Sequence, residues 1–340
     1  MSEIAATDHV AVVYQPLKTD ITALKAAVKK HEQQAGCAPT RWYKTAEEDA
    51  GAAATKQAIS EGAKTIIASG GDGTVRAIAE VMRGSEVPLA IVPQGTGNLL
   101  ARTIGAPIND VEEQVEAAFY GERRKIDLGV AEIKRADGKV DEHVFLVLAG
   151  MGLDARAISL TNPKLKKSLG WLAYVDAGMR SVIKDKPLHV RASYDKKHAR
   201  NVSVYTVMIG NCGLLPGKVL LIPEAKLDDG LLDVVALKPI GKMRLLSWVP
   251  IMAKLGWENG VLRKSAAGRK IIDLTHDTKS VVYRRVKQLQ LQVPKEEAVQ
   301  LDGDDFGHCV ALTGRVDPGA LTLCVLPQWS ERANVAEFAD

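Results

Sequence analysis

The sequence predicts an α/β protein in two parts, an open, largely parallel sheet at the N-terminus and a mainly antiparallel second domain. Three observations predict it. Apolar, β-branched runs alternate with Ala-rich charged stretches through about the first 130 residues. Two glycine-rich loops, around Gly70 and Gly95, each follow one of those runs directly. From Lys125 onward, apolar runs succeed one another with few helical stretches between them.

In chain order, Val10 to Tyr14, Thr40 to Tyr43, Thr65 to Ala68 and Leu89 to Val92 read as strands. Between them Lys18 to Ala35, Glu47 to Glu61 and Val75 to Arg83 have helix-favouring composition. In the second part the expected strands are Val144 to Leu148, Leu188 to Tyr194, Ser203 to Ile209, Leu231 to Leu237 and Ser280 to Val286. Leu165 to Ile183 and Lys242 to Leu262 read as helices, and they carry Trp171, Tyr174, Trp248 and Trp257.

The chain has 340 residues, 46% hydrophobic and 25% charged, which excludes intrinsic disorder and leaves length for two domains. Its apolar runs, such as Val144 to Leu153, stop far short of the about 20 residues of a spanning helix. The N-terminus shows no basic-then-apolar leader, and Cys37, Cys212, Cys309 and Cys324 are too far apart for a zinc motif. Reduced thiols in a cytoplasmic protein are expected. Net charge is only +4, yet residues 161–200 sum to +7 and 241–287 to +8, leaving −11 elsewhere. Such asymmetry suggests an anionic partner for one part of the molecule; scattered solvated lysines are the alternative. Nothing points to nucleic acid.

The string Ser69-Gly70-Gly71-Asp72-Gly73-Thr74 follows a strand and opens a helix. Its glycines permit close backbone approach, so successive N–H groups at a helix start can face a phosphate; a tight turn with Thr74 as a helix cap is the other reading. Pro93-Gln94-Gly95-Thr96-Gly97-Asn98 also follows a strand. Ligands of parallel sheets lie outside the carboxyl ends of the strands, so the two loops are expected to converge on one nucleotide. Gly213 to Val219 fails as a Walker loop by spacing, and Gly150-Met151-Gly152 lacks the following acid of a dinucleotide fingerprint. Near the C-terminus Asp302-Gly303-Asp304-Asp305 places three carboxylates at a turn, fit for proton acceptance, for Mg²⁺, or merely for a hairpin. Asp228-Asp229-Gly230 repeats the ambiguity.

In this order, the two glycine loops, Ala149 to Ala155, Gly170 to Tyr174, Asp229 to Val234 and Asp302 to Asp304 resemble the diacylglycerol kinase catalytic family, specifically its soluble bacterial lipid kinases. The resemblance implies a nucleotide-binding domain of the NAD-kinase and phosphofructokinase type and a β-sandwich lipid-substrate domain. Residues 1–126 with about 320–335 would form the first, because Leu321 to Leu326 would return to it, and 127–319 the second. It further implies ATP held by Thr45, Gly70, Gly71, Asp72, Gly73, Thr74 and Thr96, and a structural Mg²⁺ held by Asp229 with Lys226 and Leu231. Asp304 stands where the family's Asp-Gly-Glu motif has its base, one methylene shorter. Either that loop sits closer to the acceptor, or Asp302 is the working base. Two further departures are Gln15 before Pro16, where the family has Asn, and Arg76 after the glycine loop.

The expected function is therefore ATP- and Mg²⁺-dependent phosphorylation of a lipid hydroxyl, that of diacylglycerol first, with Asp72 orienting the glycine loop or helping to hold Mg²⁺. Reversible association with anionic membrane through the two basic, Trp-containing stretches goes with it, and a homodimer is compatible with it. Rival readings are a kinase of another lipid alcohol or of NAD, and a nucleotide-binding regulator without turnover.

Overall fold

A computed structural model describes residues 5–152, 187–212, 214–215, 219–220, 225–239 and 281–336. The chain divides into two units, Met1–Leu128 with Pro318–Ala339, and Gly129–Asp317.

The first unit alternates β1 (His9–Tyr14), α1 (Ile21–Ala35), β2 (Ala38–Lys44), α2 (Ala52–Ser60), β3 (Thr65–Gly70), α3 (Asp72–Met82) and β4 (Leu89–Pro93). Two further helices, α4 (Leu99–Thr103) and α5 (Val111–Tyr120), were not legible as helices in the sequence. The strands pair in parallel in the order β2-β1-β3-β4. All residues of β1, β3 and β4 are buried, as expected of a sheet covered on both faces. Helix α1 packs on α5 and α2 on α3. Because β1 lies between β2 and β3, successive crossovers leave it in opposite directions, and the crevice so formed opens at the carboxyl ends of β1 and β3.

Strand β5 (Glu122–Lys134) leads into the second unit, which holds β6 (Val140–Phe145), β7 (Leu148–Gly152), β8 (Leu188–Tyr194), β9 (Arg200–Val204), β10 (Thr206–Gly210), β11 (Leu214–Leu215), β12 (Val219–Leu220), β13 (Leu232–Leu237), β14 (Val281–Val286) and β15 (Gln288–Leu301). Strand β16 (Asp304–Val325) runs back into the first unit, where Leu323 pairs in parallel with Leu89 of β4, and α6 (Pro327–Ala336) ends the description. The pairings β5–β6, β7–β10, β10–β13, β13–β14, β7–β15, β8–β15, β8–β9, β15–β16 and β11–β12 are antiparallel. Strand β15 pairs with β8 through Leu289–Gln292 and with β7 through Val299–Leu301, and its register against β16 shifts between Gln292 and Glu297. Pro294, which donates no ladder hydrogen bond, lies in that shift. Phe145, Met151, Ile209, Leu232, Leu291, Val299 and Leu312 belong to the unit's apolar core.

Two expected strands are each broken in two. Val144 to Leu148 is interrupted at Leu146 and Val147, whose amides turn toward a side chain described below. Ser203 to Ile209 breaks at Tyr205, because β9 pairs with β8 whereas β10 pairs with β7 and β13. Gly150 and Gly152 are strand residues of β7. Gly170 to Tyr174, Trp248, Trp257 and the helices expected around them lie outside the described residues.

Candidate active site

The two glycine loops meet. Gly70 ends β3, its carbonyl accepts the Gln94 N–H at 2.7 Å, and a Cβ on Gly95 would lie 2.9 Å from the Gly71 Cα. Only glycine permits that approach. Asp72, the first residue of α3, fastens the loops together: Oδ2 accepts the Asn98 N–H at 2.9 Å and Oδ1 the Leu99 N–H at 2.7 Å. A Cβ on Gly97 would collide with that carboxylate at 2.8 Å. Asn98, held at φ 49°, exchanges two hydrogen bonds with the Gly95 backbone, and Arg102 Nε donates to the Gly97 carbonyl at 2.9 Å. Of the roles open to Asp72 in the sequence, these bonds perform the bracing of the loop.

Around this junction Gly71 and Thr74 are buried and Thr96 is exposed at the tip of the second loop. Thr74 packs so closely on Gly70 that a Cβ there would stand 2.7 Å from it. Thr45 donates its N–H to the Tyr14 carbonyl at the end of β1. After it Asp49 caps α2 through the Gly51 and Ala53 amides, which hold its carboxyl below the usual carboxylate range.

The loop after β1 brings Lys18, which belongs to no motif, to this junction. Gln15 Oε1 accepts the Lys18 N–H at 2.8 Å, the Gln15 N–H reaches the Ser69 carbonyl, and Thr19 Oγ1 bonds to Ser69 Oγ at 3.1 Å. The loop after β1 is thereby tied to the end of β3. A Cβ on Gly71 would lie 3.4 Å from Lys18 Nζ, so an ammonium stands over the glycine loop. Its signal in the sequence is a lysine four residues beyond the end of β1.

In the second unit Asp302 and Gly303, at φ 51° and 85°, form the two-residue turn joining β15 to β16, and Leu301 pairs with Asp304. Asp302 is buried, and its carboxylate accepts N–H groups from Leu146 at 2.8 Å, Val147 at 2.8 Å and Leu148 at 2.9 Å. Its own N–H donates to the Leu148 carbonyl. A carboxylate so engaged is an anchor. Asp304 is half-buried at the start of β16.

Asp229 lies apart from this turn in the loop before β13. Its Oδ1 accepts the Leu231 N–H at 3.0 Å, and Oδ2 is paired with the Arg285 guanidinium. Arg285 stands opposite Asp233 in the β13–β14 ladder, with Nε 3.6 Å from its carboxylate. Lys226 is exposed. Among the described residues no three His, Cys, Asp or Glu side chains gather to hold a metal. With a guanidinium already on the one carboxylate, this set does not fit a divalent cation.

Residues 9–131 match the model of the diacylglycerol kinase catalytic domain, and 147–257 that of the YegS C-terminal NAD kinase β-sandwich-like domain. The "probable lipid kinase YegS-like" of Pseudomonas aeruginosa is 31% identical over 277 residues, 78% of each chain. The chain belongs to the diacylglycerol and lipid kinase family. To the diacylglycerol kinase of Bacillus subtilis this kinase is 27% identical over 309 residues, 87% of its own length and 89% of that protein's. Its fold is similar to the crystal structure of a Bacillus anthracis protein assigned to the diacylglycerol kinases, with TM-score 0.69 at 23% identity, covering 95% of this chain and 99% of that one. The expected class, an α/β domain followed by a β-sandwich-like domain, is what these matches and the strand pairing describe.

Proposed function

We propose that this lipid kinase transfers the γ-phosphoryl group of MgATP to the hydroxyl of diacylglycerol, giving phosphatidic acid. The observation that carries the reading is the junction of the two glycine loops by Asp72, at the crevice where an α/β sheet binds its ligand. In this reading the amides of Gly71 to Thr74 hold phosphate oxygens, Lys18 places a cation beside them, and Thr45 and Thr96 supply further polar contacts. When bound with the nucleotide, Mg²⁺ spreads the charge of the phosphates. Asp304 accepts the proton of the attacking hydroxyl, while Asp302 keeps the turn in place. Phosphoryl transfer needs little else from the protein than positioning and electrostatics.

No described helix is long and apolar enough to cross a membrane. In this reading the lipid is met at the bilayer surface. The basic stretches 161–200 and 241–287 support reversible binding to anionic phospholipid there, in the cytoplasm. The experiment is transfer from γ-labelled ATP with Mg²⁺ into mixed micelles of a total lipid extract, with diacylglycerol and NAD in parallel tubes. Label in phosphatidic acid supports the reading, and label in another phospholipid changes the acceptor. Label in NADP would transfer the assignment to a soluble substrate, and ATP binding without transfer would leave a regulator.

A further inference from the structure

The Asp302-Gly303 turn is held on one side by the segment that links β6 to β7 and on the other by the β5–β6 hairpin. Before Asp304 the anchor is Asp302, fixed by the amides of Leu146 to Leu148 that directly follow β6. After Asp304 the strand bulges: Gly307 sits at φ 73° and its N–H turns back to the Asp305 carboxylate at 2.8 Å. Arg135, at the start of the turn between β5 and β6, reaches this bulge. Its Nη1 donates to the Phe306 carbonyl at 2.7 Å and the His308 carbonyl at 2.8 Å, while its Nε bonds to Asp141 Oδ2 at 2.9 Å. The His143 ring, from β6, meets the Phe306 ring edge-on at 4.9 Å. Asp304 thus lies midway in the chain between two held residues, Asp302 on the link from β6 to β7 and Phe306 on the β5–β6 hairpin.

We propose that Arg135 is a positioning residue for phosphoryl transfer. By holding the carbonyls of Phe306 and His308 against Asp141, it sets the direction in which the Asp304 carboxylate points; this rests on the reading of Asp304 as the base. Arginine suits the task because a planar fork serves two carbonyls and a carboxylate at once, which the compact ammonium of lysine does not. A bulge re-aims the side chains beside it, and a catalytic group displaced by about 1 Å can lose about 100-fold in rate.

The test uses the full chain with Arg135→Ala and Arg135→Lys, and Lys139→Ala as a control that removes only the outer partner of Asp141, 3.0 Å away. Turnover and KM for ATP are measured separately, and amide exchange over 303–308 is followed by mass spectrometry. The expected result is a fall in kcat of about 10- to 100-fold in Arg135→Ala, with KM for ATP unchanged and partial recovery in Arg135→Lys. Faster exchange over 303–308 should accompany it, with wild-type behaviour in Lys139→Ala. A folded Arg135→Ala or Arg135→Lys that keeps both wild-type kcat and wild-type exchange would overturn the role, as would faster exchange without loss of kcat. Asp304→Asn separates the two layers. If it turns over normally, the base assignment falls and this inference with it; if it is dead while Arg135→Ala is normal, only the inference falls.

Discussion

The Asp72 carboxylate and the Asn98 N–H are joined at 2.9 Å, so the residue that opens α3 also fixes the loop that follows β4. With Leu99 on its other oxygen, Asp72 ends with both oxygens on backbone donors 26 and 27 residues further along the chain. Asp72→Asn puts an NH₂ where an acceptor is required, and a charge-assisted bond is worth about 1.5–3 kcal/mol. The expected outcome is loss of phosphoryl transfer by about 100-fold or more, since the cradle loses its shape. Steady-state kinetics with circular dichroism to check folding measures it. Normal turnover would remove Asp72 from the site.

Asp302 and Asp304 should separate cleanly into stability and chemistry. Asp302→Ala leaves three buried N–H groups without their acceptor, each costing about 1–3 kcal/mol, so its denaturation midpoint should drop sharply. Asp304→Asn should keep its fold by circular dichroism while its kcat falls by about 100-fold or more. If Asp302→Asn melts normally and is inactive, while Asp304→Asn turns over, the roles are reversed.

Lys18→Ala tests the cation over the glycine loop. Its Nζ forms no ion pair with a described carboxylate, and it stands beside Gly71, so its removal should weaken ATP binding by about 10-fold without moving the melting temperature. Titration of nucleotide by calorimetry reads this directly. Unchanged affinity would assign Lys18 to the surface.

The Arg285–Asp229 pair makes a statement about metal. Without nucleotide, neither Mg²⁺ nor a chelator should shift the wild-type melting temperature, because a guanidinium already neutralises Asp229. Arg285→Ala exposes that carboxylate and should gain a Mg²⁺-dependent rise of about 2 °C or more. A wild-type protein that loses stability in chelator would restore the structural Mg²⁺ implied by the family resemblance.

Burial raises the thiol pKa of both Cys309 and Cys324 to about 12. The thiolate is the nucleophile, so at pH 8 only about one part in ten thousand of each is reactive. Iodoacetamide at that pH should leave both unmodified in the folded protein, with labelling appearing only in denaturant. Peptide mass mapping measures it, and rapid labelling of Cys309 in the native state would contradict the packing of the second unit.

Local signals carried the parallel half of the fold. Buried strands announce themselves as apolar β-branched runs, as in Val10 to Tyr14, and the strings at Gly70 and Gly95 are chemically unusual enough to mark a phosphate loop. The family resemblance implies the return of the chain to the first unit, and in the structure Leu323 pairs with Leu89. The breaks at Leu146–Val147 and Tyr205 were not legible, because an apolar run looks the same whether it stays in one ladder or passes to another.

What the sequence alone determined is the class of each domain and the residue types at the site, because propensity, periodicity and glycine spacing are properties of neighbours in the chain. Only the tertiary structure decided their roles. Asp302 and Asp304 are the same side chain two positions apart, and they differ because three amides from residues more than 150 positions earlier converge on one of them. Lys18 and Arg135 looked like ordinary surface cations until folding brought one over Gly71 and the other onto Phe306. A hydrogen bond depends on distance and direction in space, and sequence separation records neither.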